Sequence, residues 1–168
     1  HSKLMKNRID KIRNFGIKDE YTIDHLGINA KMSEPNAALG VLQLKYLDSI
    51  IQERKNIYNL YKEGLNQSNG CRLIEIPKNI KYNFAYCPVI FQDGPKTRDR
   101  AYNKMKSENI FCRKYWYPLI TDHEIYSSAK YGKLLNAKTL CGKILFLPIY
   151  PGLEKKVVSR ILKIINGE

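Results

Sequence analysis

The longest regular pattern in the sequence is helical, and it begins at Ser33 and ends at Leu65. Ser33 suits the N-cap position, where its hydroxyl oxygen can accept a hydrogen bond from an unpaired backbone N–H of the first turn. Pro35 is tolerated in that turn. Apolar residues recur at helical spacing as far as Leu47, and a second series continues from there. Ordinary helix lengths favour two helices that meet near Asp48 over one very long helix.

Beyond Gly70 the pattern changes to short strands that alternate with helices. Strands are predicted at 72–76, 83–91, 110–117 and 145–149, and helices at 96–108, 136–144 and 153–165, with a loop and a short helix over 122–130. Pro88 should place its strand at a sheet edge or mark a bulge, because proline lacks the N–H of a central strand. The pattern predicts an α+β fold, with a small antiparallel sheet and helices on one face.

The residues before Ser33 differ from the remainder. A short helix is predicted over residues 3–13, and a polar, irregular loop over residues 21–30. This stretch has no partner strands of its own, and it looks like the trailing edge of a domain whose main body is absent. We therefore expect three parts: residues 1–32 close a larger domain, residues 33–47 form a connecting helix, and residues 48–168 form a small C-terminal α+β domain.

Composition limits the classes of protein to which this chain can belong. The chain has 29 Lys and Arg against 16 Asp and Glu, a net charge of +13, and 43% hydrophobic residues, which predicts a folded domain. The basic residues are spread along the chain among acidic ones, which favours a solvated surface, although a nucleic-acid-binding module stays open. No apolar run approaches the roughly 20 residues that span a bilayer, and no signal-peptide pattern is present. We expect a cytoplasmic protein.

The cysteines and histidines do not form a metal-binding pattern. No C-x₂-C pair and no H-x₃₋₅-H pair occurs among the four cysteines and three histidines. We expect core thiols, no disulfide and no metal. His123 lies between two carboxylates in a predicted loop, a place where a solvated histidine is more common than a catalyst.

One string carries a functional signal. Residues 27–40, GINAKMSEPNAALG, closely resemble the G-x-N-x-[KR]-[ML]-[ST]-x-x-x-A-A-x-G signature of the DegT/StrS-type sugar-nucleotide aminotransferases. Three further regions are similar to family segments in order and spacing. The first two are IRNFGI at 12–17 and the helix at 47–61. The third is a pair of segments: RKYWYPL at 113–119 looks like R-x-Y-F-Y-P-L, and LPIYP at 147–151 looks like L-P-I-Y-P. The resemblance covers nearly the whole chain but only the C-terminal part of the family's longer chain.

The resemblance implies a fold-type I enzyme that uses pyridoxal 5′-phosphate (PLP). The intact protein would transfer an amino group, from glutamate, to a 4-keto or 3-keto deoxyhexose linked to a nucleotide, and it would act as a homodimer. In the family, the lysine that binds PLP as a Schiff base lies upstream, and no lysine here has a matching context. We therefore expect no catalytic residue in this chain, which alone would be inactive and would not retain PLP. A PLP-free regulatory relative is the other alternative.

The signature asparagine, Asn29, is the cofactor-binding residue that the resemblance implies. In the family it reaches the PLP phosphate of the neighbouring subunit. Without the resemblance, a turn residue beside Gly27 is the favoured interpretation of Asn29, and the resemblance makes the cofactor contact the leading one. The small residues Ala37, Ala38 and Gly40 would let their helix lie close to another backbone.

Four residues are implied to border the substrate. Lys31 and Arg113 are similar to basic residues near the diphosphate, and the alternative is that both are ordinary exposed cations. Tyr115 and Tyr117 would border the sugar pocket, or alternatively pack within a sheet. His25 and His123 do not fall on the family's histidine positions, and no catalytic role is expected for them.

Overall fold

A computed structural model of the protein describes residues 2–66, 70–128 and 132–167. The chain divides into two units, His1–Leu47 and Asp48–Glu168. The assignment of residues 1–32 to a larger domain stays a prediction.

The first unit consists of two helices and a small hairpin. Helix α1 is Lys3–Ile12, strands β1 (Ile17–Asp19) and β2 (Thr22–Ile23) pair antiparallel, and helix α2 is Glu34–Lys45. The expectation that the residues before Ser33 have no partner strands of their own is therefore wrong. Ser33 is the N-cap of α2, as predicted, but its hydroxyl makes no capping hydrogen bond. Gly16 is the only buried residue among the described residues 2–47, so this unit has no apolar core of its own.

The helical pattern after Ser33 does form two helices. Helix α2 ends at Lys45, and helix α3 spans Leu47–Leu65, so the break falls at Tyr46, close to the predicted position. Leucine and valine residues of α2 remain exposed, among them Val41 at 60% and Leu44 at 68%.

A three-stranded antiparallel sheet organises the second unit. Its strands are β3 (Cys71–Leu73), β4 (Cys87–Phe91) and β5 (Ile144–Leu147), in the order β3-β4-β5. Val89 at the centre lies opposite Leu73 on one side and Leu145 on the other. The small antiparallel sheet and the α+β class are therefore confirmed.

Three further helices complete this unit: α4 (Pro95–Ser107), α5 (Leu135–Lys143) and α6 (Lys155–Asn166). Each agrees with the predicted helix to within two residues. Short 3₁₀ turns occupy Ile120–Asp122 and Glu124–Tyr126, and the end of the loop and short helix predicted for 122–130 lies outside the described residues.

The strand predicted for residues 110–117 is wrong. Only Arg113 pairs with the sheet, through its own N–H and carbonyl, which bond to Phe146 at the β5 edge over 3.1 and 2.8 Å. The Tyr117 N–H then donates to the Lys114 carbonyl over 2.8 Å, so the chain turns and cannot continue the ladder.

The edge position predicted for Pro88 is also wrong, because β4 is the central strand. Its register shows no bulge at Pro88. On one side Pro88 lies opposite Phe146. The backbone N–H and carbonyl of Phe146 form their hydrogen bonds with Arg113, so they need no N–H from Pro88. On the other, the Ile74 N–H donates to the Pro88 carbonyl, and the Tyr58 hydroxyl donates to the Ile74 carbonyl over 3.4 Å. The hydroxyl supplies a donor where proline has none.

The core of the second unit lies between one sheet face and helices α3, α4 and α6. Burial of each large apolar side chain contributes about 1.5–3 kcal/mol. The Tyr61 hydroxyl, inside this core, donates to the Pro148 carbonyl over 3.0 Å. The largest fully buried apolar and aromatic side chains are Tyr61, Phe91, Met105, Leu145, Ile161, Val89 and Val158. None of the helices in the described ranges is both long and apolar enough to cross a membrane.

Candidate functional site

In the first unit, backbone hydrogen bonds join the loop that carries Asn29 to the end of α1. Asn14 and Asn29 face each other as an isolated antiparallel pair. Beside them, the Phe15 N–H donates to the Ile28 carbonyl over 3.1 Å, and the Ile28 N–H donates to the Ile12 carbonyl over 2.9 Å. Two segments that are separate in the sequence are therefore joined into one structure.

Gly16 and Gly27 make this pairing possible. A Cβ atom on Gly27 would lie 2.1 Å from the Gly16 nitrogen and 2.4 Å from the Phe15 carbonyl carbon. Gly16 has a φ of +77°, and a Cβ there would lie 1.7 Å from the His25 carbonyl oxygen. Both contacts are with backbone atoms, which cannot move aside as a side chain can, so only glycine fits at either position.

Asn29 is exposed on this loop, and its side-chain amide makes no hydrogen bond to the part of the chain that the structure describes. Lys31, two residues later, is also exposed, and its ammonium lies 5.7 Å from the centroid of the Phe15 ring. Asp10, Arg13, Asn14 and Lys31 line one concavity of about 620 Å³, where Arg13 is paired with Asp10 over 3.1 Å. The first unit thus presents the Asn29 amide and the Lys31 ammonium on its surface.

His25 is tied to an ion pair on the same loop. Asp24 accepts from the Lys11 ammonium over 2.6 Å and lies 2.6 Å from the His25 Nδ1 atom. The hydrogen bond from Lys11, supported by His25, lowers the pKa of Asp24 to about 2. These contacts join the residues after the hairpin to α1, and His25 takes part in them through Asp24.

In the second unit, the predicted residues Arg113 and Tyr115 lie beside Phe146. The backbone of Arg113 is fixed by its pair of bonds to Phe146, while its exposed side chain has no ion-pair partner within the described residues. The Tyr115 ring lies 5.4 Å from the Phe146 ring and 6.2 Å from the Tyr86 ring, both in edge-to-face geometry. Tyr115 therefore has the packing role that the sequence left open, and it also borders the surface.

Two exposed aromatic residues continue from Tyr115. The Trp116 ring lies 4.5 Å from the Tyr115 ring with an interplanar angle of 35°, and 73% of Trp116 is exposed. Tyr117 is 53% exposed, and its ring covers the Arg98 guanidinium at 4.9 Å. We call Tyr86, Tyr115, Trp116 and Phe146 the aromatic cluster.

Arg98 is a residue that the sequence reasoning missed. Its side chain is fully buried, and its Nη1 donates to the Cys141 and Ile144 carbonyls, at the end of α5, over 3.2 and 3.4 Å. Its Nε lies 2.6 Å from Asp99 without hydrogen-bond alignment, so the two groups form an ion pair only. The signal was its position one turn before Ala101 on the inward face of α4.

Lys114 completes the charges around the cluster. Its ammonium lies 2.6 Å from Asp99 and 4.2 Å from the centroid of the Tyr102 ring. Desolvation raises the pKa of Asp99, but the ion pairs with Lys114 and Arg98 outweigh it and lower that pKa. Lys114 is therefore engaged within the fold, whereas Arg113 is not.

The cysteines are buried, and all four are free thiols. Burial raises the pKa of Cys71, Cys87 and Cys112 to about 12, so these thiols stay protonated and unreactive. The described residues hold no group of three or more histidine, cysteine or acidic side chains that could bind a metal ion.

The predicted site residues thus fall into two groups. Asn29 and Lys31 lie on the first unit, and Arg113, Tyr115 and Tyr117 on the second. Their roles toward a cofactor or substrate stay predictions.

The fold is similar to part of the sugar aminotransferase CalS13 from Micromonospora echinospora, with a TM-score of 0.83 at 16% identity over 99% of this chain and 45% of CalS13. DesV from S. venezuelae superimposes with a TM-score of 0.85 at 21% identity, and the match covers 99% of this chain and 44% of DesV. At this identity the likeness shows the fold alone.

The sequence comparisons show the family. The model of the DegT/DnrJ/EryC1/StrS aminotransferase family matches residues 1–166, and the chain belongs to this family. A dTDP-4-amino-4,6-dideoxy-D-glucose transaminase of Escherichia coli is 41% identical over 97% of this chain and 45% of its own length. A transaminase of the same name from Shigella dysenteriae is 38% identical over 99% and 46%. The chain therefore spans less than half the length of these relatives.

Proposed function

We propose that the chain is the C-terminal portion of a PLP-dependent aminotransferase that acts on a nucleotide-linked keto-deoxysugar. The names of the two transaminases at 41% and 38% identity support a dTDP-linked 4-keto-6-deoxyhexose as the acceptor. Glutamate is the proposed amino donor, and the homodimer is the proposed assembly.

The observation that carries the proposal is the exposed amide of Asn29 on a loop fixed by backbone bonds to Asn14 and its neighbours. A phosphate group binds well to donors that are already held in place and have no partner to give up. The Asn29 side chain meets both conditions, because its backbone is anchored and its amide has no partner in the described chain. These features fit a contact with the phosphate of PLP in a neighbouring subunit.

When bound, PLP supplies the electron sink for amino-group transfer. The proposed task of Asn29 is to donate its side-chain N–H to a phosphate oxygen and so help to orient the cofactor. Lys31 and Arg113 would bind the substrate diphosphate through charge-assisted hydrogen bonds, and an exposed guanidinium suits a bidentate contact. Tyr115 and Tyr117 would exclude water from the sugar. The PLP-binding lysine is proposed to lie outside these 168 residues.

Expression of the complete reading frame provides the test. The full-length protein should convert a dTDP-4-keto-6-deoxyhexose to its 4-amino product with glutamate and PLP, and the 168-residue chain alone should not. Absence of a PLP-binding lysine upstream, or failure of the full-length protein to aminate any nucleotide-linked keto-sugar, would refute the proposal.

Mixed dimers test the role of Asn29 across the subunit interface. Full-length Asn29→Ala and a variant without the PLP-binding lysine should each be weakly active or inactive. A mixture of the two should regain activity, because one site of each mixed dimer then combines an intact lysine with an intact Asn29. An Asn14→Ala variant is the matched control, since it removes an amide from the facing residue. No recovery on mixing would place Asn29 outside a shared site.

A further inference from the structure

Trp116 is held rigidly but left largely uncovered. It is the only tryptophan of the chain, and 73% of it is exposed. One part of its ring lies against Tyr115 at 4.5 Å, and Tyr115 is in turn fixed between Tyr86 and Phe146. An exposed indole with a fixed aromatic neighbour loses little conformational freedom when another flat ring stacks on it.

The backbone around Trp116 is fixed as well. The two bonds between Arg113 and Phe146 anchor the segment to the sheet, and the bond from the Tyr117 N–H to the Lys114 carbonyl closes a turn around Trp116. The Trp116 ring therefore projects from a backbone segment that is anchored by hydrogen bonds.

The charges beside the ring point to the kind of ligand. Lys114 is occupied by Asp99, but the exposed Arg113 side chain, three residues before Trp116, has no ion-pair partner among the described residues. Arg113 and Trp116 are both exposed on one anchored segment. An aromatic face and a guanidinium supplied by one segment are the combination that proteins use for a base and its phosphates. A sugar without phosphates could pack against the Trp116 ring but would leave the Arg113 guanidinium without a partner.

We propose that Trp116 stacks on the nucleobase of the nucleotide sugar while Arg113 binds its diphosphate, an inference that takes its ligand from the proposed function. Trp116 is thus a binding residue that acts on the base, away from the reacting carbon.

Binding of dTDP and of pyrophosphate to the full-length protein, measured by calorimetry, separates the two contacts. Trp116→Ala should weaken dTDP binding roughly 5- to 150-fold, the range of base–aromatic stacking, and leave pyrophosphate binding unchanged. Trp116→Phe should stay within about threefold of the original protein, because a stacking face remains. Arg113→Gln should weaken both ligands. Phe111→Ala, a nearby aromatic residue that is 69% exposed, is the matched control and should change neither.

Fluorescence provides a readout independent of affinity. The difference between the original protein and Trp116→Phe isolates the emission of Trp116. That emission should be quenched by acrylamide in the free protein and protected by dTDP, but not by pyrophosphate.

Two results would overturn the inference: dTDP binding unchanged in Trp116→Ala, or a Trp116 that acrylamide cannot reach in the ligand-free full-length protein. The second result would mean that another part of the protein covers the ring. Failure of the proposed function is distinguishable, since a protein that aminates its sugar with an unchanged KM in Trp116→Ala refutes this inference alone. A protein that binds dTDP through Trp116 but transfers no amino group refutes the proposed function alone.

Discussion

The change Gly27→Ala tests whether the pairing of the Asn29 loop with the end of α1 depends on the absence of a side chain. The new methyl group would lie 2.1 Å from the Gly16 nitrogen and 2.7 Å from the Ile12 carbonyl oxygen. Both are backbone atoms of the paired segment, so the contact is relieved only when the loop moves away.

The magnitude follows from the bonds that such a movement breaks. Three backbone hydrogen bonds cross the pairing: Phe15 to Ile28, Ile28 to Ile12, and Ala30 to Arg13, all between 2.9 and 3.1 Å. At about 1 kcal/mol each, they contribute about 3 kcal/mol. Their loss should accelerate exchange of the three donor amides by about a hundred-fold, since 1.4 kcal/mol corresponds to a factor of ten.

Amide hydrogen exchange followed by NMR measures this directly, because local opening is reported residue by residue. The amides of β4, in the other unit, provide an internal reference and should not change. Gly40→Ala is the matched control, since a Cβ at Gly40 meets nothing within 4 Å. In the interior of α2 it should stabilise the helix by about 0.5–1 kcal/mol. Exchange in Gly27→Ala as slow as in the original chain would refute the reasoning.

Three further predictions concern charges and thiols. In the folded chain the pKa of Asp24 is about 2, below the ordinary value of 3.8. The contacts of Asp24 with Lys11 and His25 therefore stabilise the fold above about pH 4, and this stability is lost as the pH falls toward 2. An NMR titration should show this low pKa and its rise in Lys11→Met, and a pKa of 3.8 in the original chain would contradict it. Arg98→Met should lower the free energy of unfolding by about 3–5 kcal/mol in a denaturant titration, because it leaves buried carbonyls and Asp99 without their partner. The exposed Arg100→Met should change it by less than about 0.5 kcal/mol, and equal effects would refute a special role for Arg98. Thiols with a pKa of about 12 should react with a thiol reagent at pH 8 only after unfolding, and fast labelling of the folded chain would contradict the burial of Cys71, Cys87 and Cys112.

The helices could be predicted from the sequence because their signal is local. The apolar spacing in α3 and α6 is set by residues three and four positions apart, and the same residues face the core. The break falls at Tyr46, two residues before the predicted position at Asp48, which is an ordinary uncertainty of helix ends.

The sequence predictions are wrong where the local structure depends on a residue that is distant in the sequence. Alternating aromatics around Tyr115 favour a strand, but only Arg113 finds a partner, Phe146, which lies far along the chain. The place of Pro88 in a central strand depends on a hydroxyl from α3, and no local rule reveals it. Likewise, the pairing of Asn14 with Asn29 becomes evident only when the two glycines meet.

The candidate site was predicted through family resemblance rather than through composition or spacing. Asn29 and Lys31 were named because they lie in a recognisable string, whereas Trp116 and Arg98 were not. An exposed tryptophan and a buried arginine both contradict the usual burial of their residue types. Residue type therefore outweighs the one sequence signal for Arg98, its position one turn before Ala101 on α4.

The buried side chain of Arg98 links parts of the fold that are distant in the sequence. A guanidinium carries several donors on one rigid plane, so this single side chain joins α4 to the Cys141 and Ile144 carbonyls at the end of α5. The ring of Tyr117 covers the same guanidinium. The position of this exposed ring therefore depends on two helices that meet only once the chain has folded.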